Sequence, residues 1–119
     1  RDSSTSVMNQ GKTDKYVRAH ALAAQVIYEY FIKSGLAEGR RRELINRYLA
    51  RFIFKSLVSQ PLRLVRDKSR RREFWNFAKS CVALLSQGGA YQPRLLGWRF
   101  NLASKLFLNG YYRTARLFV

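Results

Sequence analysis

The 119 residues contain one cysteine, one histidine and two prolines. A lone cysteine, Cys81, cannot close an intrachain disulfide, and a reducing compartment is the simple reading. His20, Cys81 and scattered acids do not by themselves supply a structural zinc site. Acidic residues are also scarce: 7 Asp+Glu stand against 23 Lys+Arg, a net charge of +16. Internal ion pairing therefore cannot absorb the cations, and self-repulsion opposes compaction. No apolar run reaches the 18 residues of a bilayer span. The nearest, Val26 to Ile32, is interrupted by Glu29 and followed by Lys33. No signal-peptide pattern opens the sequence.

What is abundant is apolar and aromatic. Hydrophobic residues make up 47% and aromatics 14%, enough to fill one modest core. The surplus charge points to anionic partners: phosphate-bearing molecules, acidic lipid, nucleic acid, or an acidic region of the same polypeptide. The chain begins at Arg1, inside the polar phrase Arg1-Asp2-Ser3-Ser4-Thr5-Ser6. It reads as a piece of a longer protein, with residues 1–12 an irregular lead-in from an upstream domain and 13–119 a helical module.

Periodicity places a first helix from Thr13-Asp14, with Thr13 as cap, to a stop at Gly35. Arg18, Gln25, Glu29 and Lys33 form one narrow polar stripe on it, so this helix is expected to be mostly buried. A second helix spans about Glu38 to Ser59, with Leu44, Ile45, Tyr48, Leu49 and Phe52 on its apolar face. Beside them Arg40, Arg47, Arg51 and Lys55, spaced seven, four and four, form a contiguous cationic stripe. Ile53 and Phe54 fall outside the apolar face and are expected to meet a second surface. Phe52–Val58 has strand propensity, but the helical period on both sides outweighs it.

Pro61 ends this helix or begins a new turn. Residues 61–69 read as a connection, with Leu62, Leu64 and Val65 tucked into the core. Ser69 is placed to cap a third helix near 70–86, whose apolar face holds Phe74, Trp75, Phe77, Ala78, Cys81, Val82, Leu84 and Leu85. Arg70, Arg71 and Arg72 in its first turn oppose the helix dipole. Gly88-Gly89 breaks the chain, Pro93 opens a fourth helix to about Leu108, Asn109-Gly110 is a second break, and Tyr111–Val119 forms a short last helix. The fold class is therefore all-α: four to five antiparallel helices in a small bundle or helical-hairpin array. Ala103, Gly110, Tyr112 and Ala115 are similar in spacing to a tetratricopeptide-type helix pair. A second copy is absent, and solenoids need at least about three units.

No constellation for catalysis stands out. Cys81 lies on an apolar helical face and reads as a small buried hydrophobe rather than a thiolate. His20 sits among alanines and reads as a packed imidazole. The acids lack a paired-carboxylate pattern, and neither Gly-x-Gly-x-x-Gly nor Gly-Lys-Ser/Thr occurs. The basic clusters remain: Arg40, Arg41 and Arg42 with Arg47, Arg51 and Lys55; Arg63, Arg66 and Lys68; and Arg70, Arg71 and Arg72. Sixteen of the cations are arginine and seven lysine, and arginine makes forked contacts to phosphate and carboxylate. A membrane surface needs a cationic stripe flanked by apolar groups, which the second helix offers. Nucleic acid needs exposed base-reading or stacking groups, and the aromatics fall mainly on core faces.

The opening Arg1-Asp2-Ser3-Ser4-Thr5-Ser6-Val7-Met8, a polar gap, Lys15 and a long helix resemble the exit from the catalytic domain of bacterial family 2 glycosyltransferases, where an Arg-x-x-Ser-x-Ser-type segment leads into helices rich in tyrosine, leucine and arginine. The closing Leu108-Asn109-Gly110-Tyr111-Tyr112-Arg113-Thr114-Ala115 resembles such a C-terminal extension. The family's Asp-x-Asp metal site and catalytic acid are not in this sequence and are expected upstream. The resemblance implies sugar transfer from a nucleotide sugar to a saccharide or lipid-linked acceptor, with a divalent metal such as Mg or Mn, at the cytoplasmic face of the membrane. It places Arg1, Ser3 and Ser4 near the donor diphosphate or the acceptor.

The expectation is thus a non-catalytic C-terminal module packed on an upstream catalytic domain. Arg40, Arg41, Arg47, Arg51, Lys55, Arg70, Arg71 and Arg72 would face anionic lipid or a phosphate-bearing acceptor. The alternatives are a helical nucleic-acid-binding module and a helical-repeat-like scaffold for an acidic partner. Self-association of the isolated piece is compatible with each.

Overall fold

The computed structural model describes the backbone of residues 2–64 and 69–119 and the side chains of residues 14–63 and 69–119. The protein is all-α, with five helical bodies and no strand among the described residues. α1 (Asp2–Ile27) continues without a break into a π-helical segment, Tyr28–Lys33. α2 (Arg40–Ile53) runs through a second π-helical segment, Phe54–Ser59, into α3 (Gln60–Leu64). α4 spans Arg71–Gln87. A 3₁₀ turn, Pro93–Leu96, precedes α5 (Trp98–Leu108), and α6 is Tyr112–Arg116.

The chain starts its first helix earlier than its local signals suggest. Residues 2–12, read as an irregular lead-in, are helical, and Thr13 and Asp14 lie within α1 instead of capping it. Extending an existing helix adds a hydrogen bond for each residue fixed, so poor helix formers are carried along by the stable segment that follows. Ser3 and Ser4 belong to this stretch by backbone. Their side chains lie outside the described residues, as do Arg1, Val65, Arg66 and Lys68 and the side chain of Leu64.

The core is centred on the second π segment. Ile53, Phe54, Ser56, Leu57 and Val58 are all buried, and the segment touches α1, α4 and α5. The widened turn moves the side-chain period, so apolar groups point to several neighbours at once. This matches the expectation that Ile53 and Phe54 meet a second surface. The same turn explains why Pro61 does not end the helix. Proline removes one backbone donor and crowds the preceding turn, and here the preceding turn is wide. The Pro61 carbonyl accepts a 2.7 Å hydrogen bond from Trp75 Nε1, which joins α3 to α4.

α1 is less covered than its thin polar stripe implies. Val17 and Ala24 are buried, but Leu22, Val26 and Tyr30, successive i, i+4 positions, are exposed. A body of this size has too few elements to enclose a helix on all sides. On α4, Leu84 is likewise exposed rather than in the core. The N-cap of α4 is Arg70 instead of Ser69, and the Arg70 side chain makes no capping hydrogen bond. Gly97, at φ +108°, separates the 3₁₀ turn from α5, so the fourth helix is two pieces. Ala103, Tyr112 and Ala115 are buried where α5 and α6 pack together.

Candidate functional site

Two cationic features are built by different elements. The first is the outer face of α2 and the start of the π segment that follows it, where Arg40, Arg41, Arg47, Arg51 and Lys55 are all exposed. Gly39, at φ +58°, turns the chain into α2. Leu49, Ala50 and Ile53 hold the opposite face in the core. Leu44 and Tyr48, read as core positions, are each 55% exposed. At 100° per residue both fall between the Arg40, Arg47 and Arg51 row and Arg41, so exposed apolar groups flank the cationic row. Tyr48 stacks on Phe52 at 6.1 Å. Phe52 in turn stacks on His20 at 5.3 Å, and His20 lies 3.8 Å from the Tyr16 ring. His20 Nδ1–H donates to the Tyr16 carbonyl at 2.7 Å. These rings tie α1 to α2, and His20 is a packing residue there.

The second feature is a cleft of about 530 Å³ between the first turn of α4 and the turn joining α5 to α6. Arg71, Arg72, Trp75, Tyr111, Arg113 and Thr114 line it, and among the described residues no acidic side chain does. The Arg71 guanidinium lies 5.5 Å from the centre of the Trp75 ring, and its Nε is buried without a hydrogen-bond partner. Trp75 and Tyr112 rings are 5.2 Å apart, and the Tyr112 hydroxyl donates to Asn76 Oδ1. Burial pushes the Tyr112 phenol above its ordinary pKa, opposed by the nearby Arg72 guanidinium. Asn109-Gly110, with Gly110 at φ +84°, makes the reversal that sets α6 against α4.

The structure thus brings Arg71 and Arg72 together with Arg113, and keeps them apart in chain elements from the α2 row. Arg70 is exposed at the N-cap of α4. Arg113, Trp75, Tyr111 and Thr114 carry no local signal as a site. Their convergence depends on a contact such as Tyr112 to Asn76, 36 residues apart in sequence.

Cys81 is half-buried beside the core, and burial raises its thiol pKa, the Arg18 guanidinium opposing. Arg18 itself sits over the Phe77 ring at 5.3 Å. Among the described residues no group of three His, Cys, Asp or Glu comes together to hold a metal ion, and no helix is long and apolar enough to cross a membrane.

Fold and surface define an all-α module with two arginine-rich faces. No protein-family model, no curated protein and no solved structure matches this chain.

Proposed function

We propose that this chain is a non-catalytic helical module that holds a glycosyltransferase, of which it is the C-terminal part, against an anionic, phosphate-bearing surface. The observation that carries the reading is the outer face of α2, where the exposed Leu44 and Tyr48 lie between the row of Arg40, Arg47 and Arg51 and Arg41. A peripheral lipid-binding helix needs both parts: cations for the headgroups and apolar groups that enter the interface. The uncovered row Leu22, Val26 and Tyr30, on α1 and the π segment that continues it, is the kind of surface that a preceding catalytic domain would cover. Sugar transfer from a nucleotide sugar, with its divalent metal, belongs to that domain. No step of it is assigned to the residues described above. Arg1, Ser3 and Ser4 keep the place near the donor or acceptor that the family resemblance implies. The location is the cytoplasmic face of a bacterial membrane.

The test is partitioning onto vesicles of phosphatidylglycerol in phosphatidylcholine, compared with phosphatidylcholine alone. Each surface cation contributes roughly 1 kcal/mol at an anionic membrane, so R47Q/R51Q/K55Q should weaken partitioning by about a hundredfold. L44Q/Y48Q should weaken it on both vesicle types. Unchanged partitioning in both variants overturns the reading. Tight binding to duplex or single-stranded nucleic acid with none to vesicles replaces it with a nucleic-acid module. A coding sequence with no Asp-x-Asp and no nucleotide-binding α/β pattern ahead of Arg1 removes the glycosyltransferase part.

A further inference from the structure

We propose that the cleft between α4 and the α5–α6 turn is a discrete site for a phosphate ester that carries a planar group. The site is independent of the α2 face and of the glycosyltransferase reading. Its volume, about 530 Å³, falls in the range of small-molecule pockets. Three guanidinium groups line it, and among the described residues no carboxylate does. Guanidinium forks match the oxygens of a phosphate two at a time, which a lysine cannot do.

Arg71 shows the unmet demand most directly. Its Nε is buried and has no acceptor, whereas buried donors are as a rule satisfied. Because that atom is closed to solvent, a bound phosphate supplies the acceptor by drawing the cleft-lining guanidinium toward it. It also offsets the repulsion among Arg71, Arg72 and Arg113, the first two of which sit at the positive end of α4.

The walls are set without the ligand. The Trp75 indole is fixed by the Pro61 carbonyl and the Tyr112 hydroxyl by Asn76. Their polar ends are spent inside the fold, so both present ring surface to the cleft. Little ordering is left to pay on binding. Recognition of the anion falls to the arginines and the Thr114 hydroxyl. Tyr111, 62% exposed at the rim, offers a free ring face on which a flat group stacks.

The experiment is calorimetric titration of the whole chain with ADP and with inorganic diphosphate at constant ionic strength, beside partitioning onto phosphatidate vesicles. ADP is expected to bind one to one. R72Q and R113Q should each lose at least tenfold in affinity for both soluble probes, with the thermal midpoint kept. R113K, which keeps the charge and loses the fork, should fall between. Y111A should weaken ADP and leave diphosphate unchanged, and R47Q/R51Q should change neither. If neither soluble probe binds but R72Q and R113Q selectively weaken phosphatidate partitioning, the phosphate is a lipid headgroup in the same cleft and the planar-group part of the proposal is overturned. Equal binding by R72Q, R113Q and the parent, equal loss of ADP and diphosphate affinity in R47Q/R51Q, or no binding to any of the three probes overturns the site.

Discussion

Tyr91 and Ser104 are both buried, and their hydroxyls meet at 2.5 Å. The bond links the segment after α4 to the middle of α5. Tyr91→Phe removes one partner and leaves the Ser104 hydroxyl unsatisfied, which costs about 1–3 kcal/mol. Urea unfolding should show a lower midpoint with an unchanged slope. Burial also raises the Tyr91 phenol well above its ordinary pKa, so the unfolded chain releases this proton first. The contribution is therefore intact below about pH 10 and is lost as pH climbs beyond it. Tyr112 acts with the same sign, and Cys81 joins from its ordinary value of 9.0 upward. Stability measured against pH should fall on the alkaline side, and more shallowly in Y91F than in the parent. An equal alkaline slope in Y91F would show that the hydroxyl is ionised equally in both states.

At the level of elements, α4 and α5 end in the same way. Gly89 N–H bonds to the Ser86 carbonyl and Ala90 N–H to Leu85, as Gly110 bonds to Phe107 and Tyr111 to Leu106. Gly89 and Gly110 have nearly equal φ, +87° and +84°, but a Cβ at Gly89 meets the Tyr28 hydroxyl at 2.8 Å while Gly110 has open space. Both Gly→Ala changes incur the left-handed penalty of about 1–2 kcal/mol. Only G89A also displaces Tyr28, so it should lower the thermal midpoint further than G110A. These stops, with Gly35, were legible in sequence because a glycine at a helix end acts locally. The helical periods, the core role of Leu62 and the packed His20 were legible for similar reasons. What escaped was non-local. The π turn at Phe54–Ser59 rotates the side-chain period after Ile53. It carries the helix through Pro61, and no window of residues announces it. Leu44 and Tyr48 lie at an amphipathic boundary, and only the position of neighbouring helices decides that they are exposed. Arg71 and Arg72 were visible as a cluster. Trp75 lies one turn along α4 from Arg71, and Arg113 and Tyr111 join them only through the folding back of α6.

For the molecule as a whole, the dominant fact is +16 on a chain with seven acids. The exposed row on α2 and the three arginines of the cleft crowd like charges that water alone must screen. At about 0.01 M salt the Debye length is roughly 30 Å, longer than the two short dimensions of the body, 27 and 18 Å, and shorter than its 51 Å length, and near 0.1 M it falls to about 10 Å. Repulsion across the width of the body acts in the first condition and only between neighbours in the second. The thermal midpoint should therefore rise as sodium chloride increases over that range. R47Q/R51Q/K55Q removes three of the charges from one face and should be more stable than the parent at low salt, the gap closing as salt is added. The same three substitutions are the ones expected to weaken vesicle binding. If calorimetry finds the variant more stable and the vesicle assay finds it weaker, the α2 row is retained at a cost to folding, as expected of residues that serve a partner. A midpoint that stays flat with salt in both proteins would mean that the surface charge does not strain the fold.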